Sequence, residues 1–153
     1  MPYLLQILGI ALSCAVLSSL LSYAAYAMPP DVPGIVTVEI RNDSAQPLEL
    51  LGTGLDLQGA PVASFAIASG ERRKLHLTGS KAWFIYGSGP RKCRFVAQHA
   101  LKQRFSGPEH SSYLPVWTRQ AESIGEHQAS CKARLSKTLK APPYSYSVKF
   151  SMG

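Results

Sequence analysis

The sequence predicts an all-β protein: a single antiparallel β-sandwich of about seven to nine strands, preceded by an N-terminal signal-peptide helix. Two observations predict the strands. Short apolar runs follow one another along the chain, separated by clusters of Gly, Pro and Ser that signal a turn about every 8 to 12 residues, a spacing typical of sandwiches and barrels. In the clearest runs apolar and polar side chains alternate, as they do in a strand with one buried face.

Alternation is most regular near the two ends of the predicted domain. In residues 34–41 the apolar side chains face one way, and Thr37, Glu39 and Arg41 face the other. Residues 144–152 place five apolar side chains on one face and alternate them with Ser and Lys. A shift of one residue in pairing would expose the whole apolar set of this last strand, so we expect its register to be fixed.

The segments between these two strands contain further apolar runs, most of which we expect to be strands: residues 48–51, 55–57, 62–67, 75–77, 82–86, 95–96, 113–117 and 131–135. Residues 42–47 consist of turn formers and predict a hairpin between the first two strands. The stretch 97–128 is the least regular, with a helical turn expected within residues 97–104. We expect loops that carry function in this stretch, because binding residues are concentrated in loops.

The first predicted turn also contains the sequon Asn42-Asp43-Ser44, and Asn42 is the single asparagine of the chain. A three-residue pattern of this kind arises often by chance. Short polar side chains that bond to the local backbone explain the same segment as a turn. The turn interpretation is therefore preferred, and glycosylation of Asn42 is left open.

Residues 1–27 contain no charged side chain, whereas all 16 Lys/Arg and all 9 Asp/Glu lie beyond them. Residues 4–21 are almost entirely apolar, and Ala25-Tyr26-Ala27 presents small side chains at the two positions that signal peptidase requires. This pattern predicts a signal peptide that is cleaved after Ala27. The rest of the chain is then exported to the periplasm or the extracellular space.

Two membrane-linked alternatives remain for the same segment. Eighteen or more apolar residues can span a bilayer as a helix, so an uncleaved segment would anchor the domain. A lipoprotein acylated at Cys14 fits less well, because Ala11 stands where such proteins have leucine. We expect contact with a membrane only if residues 1–27 are retained.

Residues 28–153 comprise 126 residues, a common size for one domain and enough to bury a core. Cys93 and Cys131 are the only cysteines of this part, and exported compartments oxidise thiols. We therefore predict a disulfide between them, which closes a loop of 39 residues. Loop entropy gives such a bridge a stabilisation of about 4 kcal/mol. Two buried free cysteines are the alternative.

The net charge of +7 is distributed unevenly along the chain. Residues 28–70 have a net charge of −4, and residues 71–153 have a net charge of +11. If these halves are the two sheets of one domain, either their opposite charges help to hold the sheets together or the basic half presents a basic face to an anionic partner. Net charge alone does not decide between these two.

The sequence shows no recognisable catalytic or metal-binding pattern. No nucleophile stands beside a base, and the histidines lack the close spacing of metal ligands. We therefore predict that the protein is not an enzyme and uses neither a metal nor a cofactor. The alternative is a zinc site that folding assembles from Glu109-His110 and Glu126-His127. The chain has four histidines in all: His76, His99, His110 and His127.

The remaining signal is a mixture of basic and aromatic side chains in residues 81–119. Arg beside an exposed aromatic ring suits an anionic sugar, a lipid headgroup or a nucleic acid, through charge neutralisation and stacking. The competing interpretation places the strand aromatics in the core and the basic residues on a solvated face. The candidate binding residues are Lys92, Arg94, Lys102, Arg104, Trp117 and Arg119.

These observations favour an exported, non-catalytic binding or accessory protein whose basic face meets a protein or an anionic envelope or extracellular polymer. Nucleic acid is the least favoured partner, because the protein is expected to be exported. The alternative function is that of a structural or assembly subunit, in which an edge strand joins a neighbouring chain by strand addition. Residues 144–152 are the candidate edge strand, which would then be poorly paired within the monomer.

Overall fold

The structure, a computed structural model, describes residues 35–105 and 111–153. Its elements are β1 (Ile35–Asn42), β2 (Glu49–Thr53), a short 3-10 helix (Val62–Phe65), β3 (Arg72–Thr78), β4 (Lys81–Ser88), β5 (Arg91–Phe105), β6 (Ser111–Ser123), β7 (Cys131–Thr138) and β8 (Tyr146–Met152). The all-β class is confirmed, and the eight strands of the described residues fall within the predicted number. The predicted signal peptide, residues 1–27, lies outside the described part. Within that part, no helix has the length and apolar character needed to cross a bilayer.

The strands form two four-stranded sheets. The order is β3-β1-β8-β7 in the first sheet and β2-β4-β5-β6 in the second. Neighbouring strands are antiparallel except for β1 and β8, which run parallel. The prediction of a wholly antiparallel arrangement is therefore wrong for this pair. Parallel neighbours need a long connection, which all the intervening strands provide here.

The segment between β1 and β2 carries the chain from the first sheet to the second, so the predicted hairpin is wrong. Asn42 is fully buried and holds this segment in place through hydrogen bonds of its side chain. Its Nδ2 donates to the backbone oxygens of Gln46 (2.7 Å) and Ile67 (2.9 Å), and its Oδ1 accepts from the backbone nitrogen and the hydroxyl of Ser44. In the folded protein the amide nitrogen to which a glycan would be attached is therefore buried, and it donates two hydrogen bonds.

The segment between β1 and β2, referred to below as the corner at Asn42, also determines how charge is distributed between the sheets. β1 and β2 both come from the acidic half of the chain, yet they lie in different sheets. The two oppositely charged halves are therefore not the two sheets. As a result, β1 shares its sheet with β3, β7 and β8, which all come from the basic half.

The inner faces of the two sheets share one core. Phe95 in β5 stacks on Phe150 in β8, with ring centroids 4.8 Å apart. The predicted disulfide is confirmed: Cys93 in β5 is bonded to Cys131 in β7, with 5.7 Å between their Cα atoms. Because β5 and β7 belong to different sheets, this bond connects the sheets covalently.

β8 buries the apolar side chains that the alternation predicts, but it does not lie at the edge of its sheet. Tyr146, Val148, Phe150 and Met152 are buried and alternate with more exposed side chains. The strand begins at Tyr146, because Tyr144 has a left-handed backbone with φ of 54°. β8 pairs with β1 on one side and β7 on the other, so the prediction of an edge strand is wrong. An apolar strand face gains most from burial when neighbours flank it on both sides.

The stretch predicted to be least regular forms the longest hairpin of the described residues. β5 has 15 residues and β6 has 13, so the helical turn expected within residues 97–104 is wrong. β4 pairs with β5 only as far as Gln98, and beyond it β5 and β6 continue as an arm. None of the described side chains in residues 100–105 and 112–116 is buried. An arm without a buried face gives no alternation in the sequence, which explains the wrong prediction.

Candidate functional site

The basic residues predicted on β5 share one face but do not form one cluster. Lys92, Arg94, Lys102 and Arg104 all occupy alternate positions on the outer face of the second sheet. Eight residues separate Arg94 from Lys102, which corresponds to about 27 Å along a strand. Glu122 lies directly opposite Arg94 in the pairing of β5 with β6 and offsets part of its charge. The strand therefore presents two separate pairs of cations.

The other two predicted residues lie on β6 at positions that face inward. Trp117 is opposite His99 and packs against the core, and its Nε1 donates to the backbone oxygen of Tyr144 at 3.3 Å. Arg119 is opposite Ala97 and is exposed at the edge of the sheet. The structure therefore does not bring the six residues to one site. Their role in binding stays a prediction.

One histidine lies in the core. His99 is 5% exposed, and the rings of Tyr144 and Tyr146 lie 6.2 Å from its own ring, centroid to centroid. Burial lowers the pKa of His99 and raises the pKa of Tyr146 to about 12, because a low-dielectric environment disfavours the charged form of each. Both side chains are therefore uncharged at neutral pH and act as packing groups.

The alternative zinc site is only half covered by the described residues. His127 is exposed, whereas Glu109 and His110 lie outside the described part. His76 is exposed on β3, where its Nδ1 is hydrogen bonded to the hydroxyl of Thr37 at 3.2 Å. Within residues 35–105 and 111–153, no three His, Cys, Asp or Glu side chains are grouped so that they could hold a metal ion.

The outer face of the first sheet is strongly basic. Three rows of side chains, twelve residues in all, cross this face from β3 through β1 and β8 to β7. These twelve residues are referred to below as the basic face. Seven of them are Lys or Arg, one is Glu, and none is aliphatic or a Phe, Tyr or Trp. The first row is Arg72, Arg41, Ser151 and Lys132; the second is Lys74, Glu39, Lys149 and Arg134; the third is His76, Thr37, Ser147 and Lys137.

Apolar alternation on each strand produces this face. In β1, Val36, Val38 and Ile40 are at most 1% exposed, which turns the residues between them outward. β8 alternates in the same way. In β7 a register shift between Leu135 and Lys137 keeps the side chain of Lys137 on the outer face, opposite Ser147. The inward side chains of these strands therefore form part of the core, and the polar side chains between them form the basic face.

Like charges lie directly opposite one another at two places in the basic face. Arg41 of β1 pairs with Arg72 of β3, and Lys149 of β8 pairs with Arg134 of β7. Directly opposed side chains in antiparallel strands have Cβ atoms about 5 Å apart, and like charges at that position destabilise a sheet. These pairs do not serve the stability of the isolated fold.

Two acidic side chains neutralise only part of this charge. Lys149 Nζ lies 3.6 Å from Glu39 Oε1, and Arg41 Nε lies 2.7 Å from Asp43 Oδ1. The five remaining Lys and Arg of the basic face have no ion-pair partner among the described residues: Arg72, Lys74, Lys132, Arg134 and Lys137.

Two adjoining open depressions lie in the basic face, and a further one of about 150 Å³ lies at its third row, lined by Thr37, Lys137 and Ser147 together with Leu139, Ser145 and Tyr146. The first has a volume of about 540 Å³, and the second, beside it, has a volume of about 160 Å³. Glu39 and Lys149 line both. The first depression is lined further by Arg41, Asp43, Arg72, Lys132, Arg134 and Ser151. The second is lined further by Thr37, Lys74, Ser136 and Ser147.

Local sequence signals do not reveal the basic face. Alternation predicts the outward side chains of β1 and β8, but nothing in the sequence predicts that these two strands are neighbours. Turn residues indicate pairing only between consecutive strands. Two local signals point to a basic strand face outside residues 81–119: Lys132 and Arg134 alternate with Ala133 and Leu135, and Lys74 and His76 alternate with Leu75 and Leu77.

Comparison of the chain with protein-family models, with curated proteins and with solved structures finds no match. A fold by itself does not define a function, because one architecture carries many unrelated sites. The chemistry of the basic face is therefore the basis for a functional conclusion.

Proposed function

We propose that this is an exported β-sandwich protein that binds a linear acidic polysaccharide through its basic face, without catalysing a reaction. The observation that carries the proposal is the set of five Lys and Arg side chains without an ion-pair partner in the described residues. Opposite charges across strands stabilise a sheet and like charges do not. A bound polyanion would supply counter-charges to these side chains on β3 and β7 at once.

Two observations support export and the sandwich architecture. Residues 1–27 have the charge-free apolar character of a signal peptide, and the disulfide between Cys93 and Cys131 suits an oxidising compartment. The disulfide and the stacked rings of Phe95 and Phe150 join the inner faces of the two sheets, as in a sandwich.

The composition of the basic face favours a sugar polymer over other polyanions. Proteins hold single-stranded nucleic acid by stacking its bases on aromatic side chains, and the twelve residues include no Phe, Tyr or Trp. Segments that lie on a membrane insert apolar side chains into it, and the face has none of these. The hydroxyls of Thr37, Ser147 and Ser151 suit sugar hydroxyls, while the Lys and Arg side chains suit carboxylate or sulfate groups.

The double substitution Lys132→Glu with Arg134→Glu tests the proposal. Both side chains are exposed on β7, so the free energy of unfolding is expected to change by no more than about 0.5 kcal/mol. The affinity for heparin, used as the probe, is expected to fall about tenfold or more, which corresponds to about 1.4 kcal/mol. The slope of log affinity against log salt concentration should decrease by about 2, because two cationic contacts are lost. Isothermal titration at several salt concentrations measures both quantities.

The chain offers a matched control in Lys92→Glu with Arg94→Glu. These residues also form a Lys-x-Arg pair on one strand face, and the change in net charge is identical. This control variant is expected to keep near-wild-type affinity. Equal losses in the two variants would show that only net charge matters and would refute the proposal. A loss confined to the control variant would assign binding to the residues predicted on β5 instead.

A further inference from the structure

We infer that the acidic polysaccharide lies along β8, with one anionic group in the first depression and a second in the second depression. This inference rests on the proposed function and adds the position and the minimum length of the ligand. It depends on the two depressions, on the unpaired cations around them and on the distribution of acidic side chains over the basic face.

The first depression is built to hold an anionic group. Ser151 lies between Arg41 and Lys132 in its row, and its short side chain leaves space that the longer neighbours enclose. Arg41 Nε lies 2.7 Å from Asp43 Oδ1, and this ion pair holds the guanidinium at the depression. A carboxylate or sulfate group at this place would meet cations from β1, β3, β7 and β8.

The second depression offers a weaker place for an anionic group. It contains one unpaired cation, Lys74, together with the ion pair between Glu39 and Lys149. The hydroxyls of Thr37 and Ser147 supply short hydrogen-bonding groups beside it. An anionic group would therefore be held here mainly as the second contact of a ligand already bound in the first depression.

Glu39 disfavours two of the directions in which a ligand can cross the basic face. A chain along β1 would pass over the carboxylate of Glu39, which occupies the middle outward position of that strand. A chain directly across the sheet through the second row would meet the same carboxylate. A chain along β8 passes over Ser147, Lys149 and Ser151, and the neighbouring carboxylate of Glu39 is paired with Lys149 Nζ at 3.6 Å.

The two depressions set a minimum length for the ligand. Ser147 and Ser151 are four residues apart on β8, which corresponds to about 13 Å. Lys149 projects between them and lines both depressions. A fragment that spans this distance makes its second contact intramolecularly, so its affinity rises in a step above that of a shorter fragment.

Size-defined heparin oligosaccharides test the inference by titration calorimetry on the full chain. For the wild type, the affinity should rise about tenfold or more once a fragment spans both depressions. Ser151→Leu fills the first depression without changing charge and should weaken fragments of every length about tenfold. Ser147→Leu should leave the binding of short fragments unchanged and abolish the step. Ser112→Leu, the same substitution at an exposed site on β6, should change nothing.

The outcomes separate this inference from the proposed function. If Ser151→Leu and Ser147→Leu behave as the wild type while long heparin still requires Lys132 and Arg134, the inference is wrong and the proposed function stands. A smooth rise of affinity with length would also overturn the inference. If the wild type binds neither fragments nor the polymer, or binds only vesicles of acidic lipid, both are wrong.

Discussion

Substitution of Asn42 by alanine is expected to lower the free energy of unfolding by about 4 kcal/mol. The side chain is fully buried and makes four hydrogen bonds at the corner between the two sheets. Alanine would leave the buried backbone N–H of Ser44 without a partner, and the backbone oxygens of Gln46 and Ile67 would each lose one of two hydrogen bonds. Each buried polar group that loses its partner costs about 1 to 3 kcal/mol. Unfolding in guanidinium chloride measures the change.

Gln46→Ala is the control for this substitution, because the side chain of Gln46 is exposed and its backbone oxygen is retained. Its effect should stay within about 0.5 kcal/mol. A loss below about 1 kcal/mol for Asn42→Ala would show that water replaces the amide at the corner. A glycan found on Asn42 of the folded protein by mass spectrometry would contradict the buried position of its amide nitrogen.

Removal of the disulfide by Cys93→Ala with Cys131→Ala is expected to cost about 4 kcal/mol of unfolding free energy, from the entropy of the loop that it closes. The bond joins β5 to β7 and therefore the second sheet to the first. The same loss is expected when the wild type is unfolded under reducing conditions, because both treatments release the same loop. Guanidinium unfolding with and without a reductant compares the two.

The comparison also separates the loop from the packing. Cys93 is fully buried, so a loss in the double variant much greater than that caused by reduction would assign the difference to packing. Alkylation of Cys93 and Cys131 in the native, unreduced protein would show that they are free thiols and would contradict the bond. Cys14, the third cysteine of the chain, lies within the predicted signal peptide, so the mature protein is expected to show no reactive thiol.

The sequence predicts those parts of the fold that have local signals. Alternation identifies β1 and the register of β8, and the count of cysteines after export identifies the bond between Cys93 and Cys131. The turn formers at Asn42 indicate a change of direction but not the sheet to which the next strand belongs, so the predicted hairpin is wrong. The arm of β5 and β6 gives no local signal, because none of its described side chains is buried.

The basic character of the candidate site could be predicted from the sequence, but its position in the fold could not. Basic character was expected from the charge of residues 71–153, but the residues chosen from it, such as Lys92 and Arg94, are those that lie close together in sequence. In the basic face, Arg72 and Lys132 occupy one row although 60 positions separate them in the chain. That proximity depends on the parallel pairing of β1 with β8, for which the sequence carries no turn or spacing signal.

The most direct test of binding by the basic face is lysine acetylation of the wild-type protein with and without heparin, read by mass spectrometry of its peptides. Lys74, Lys132 and Lys149 should be protected when heparin is bound, since they lie on the outer face of the first sheet. Lys92 and Lys102 should react as in the free protein, since they lie on β5 of the second sheet. Protection of Lys92 and Lys102, with Lys74, Lys132 and Lys149 reacting as before, would contradict the proposal.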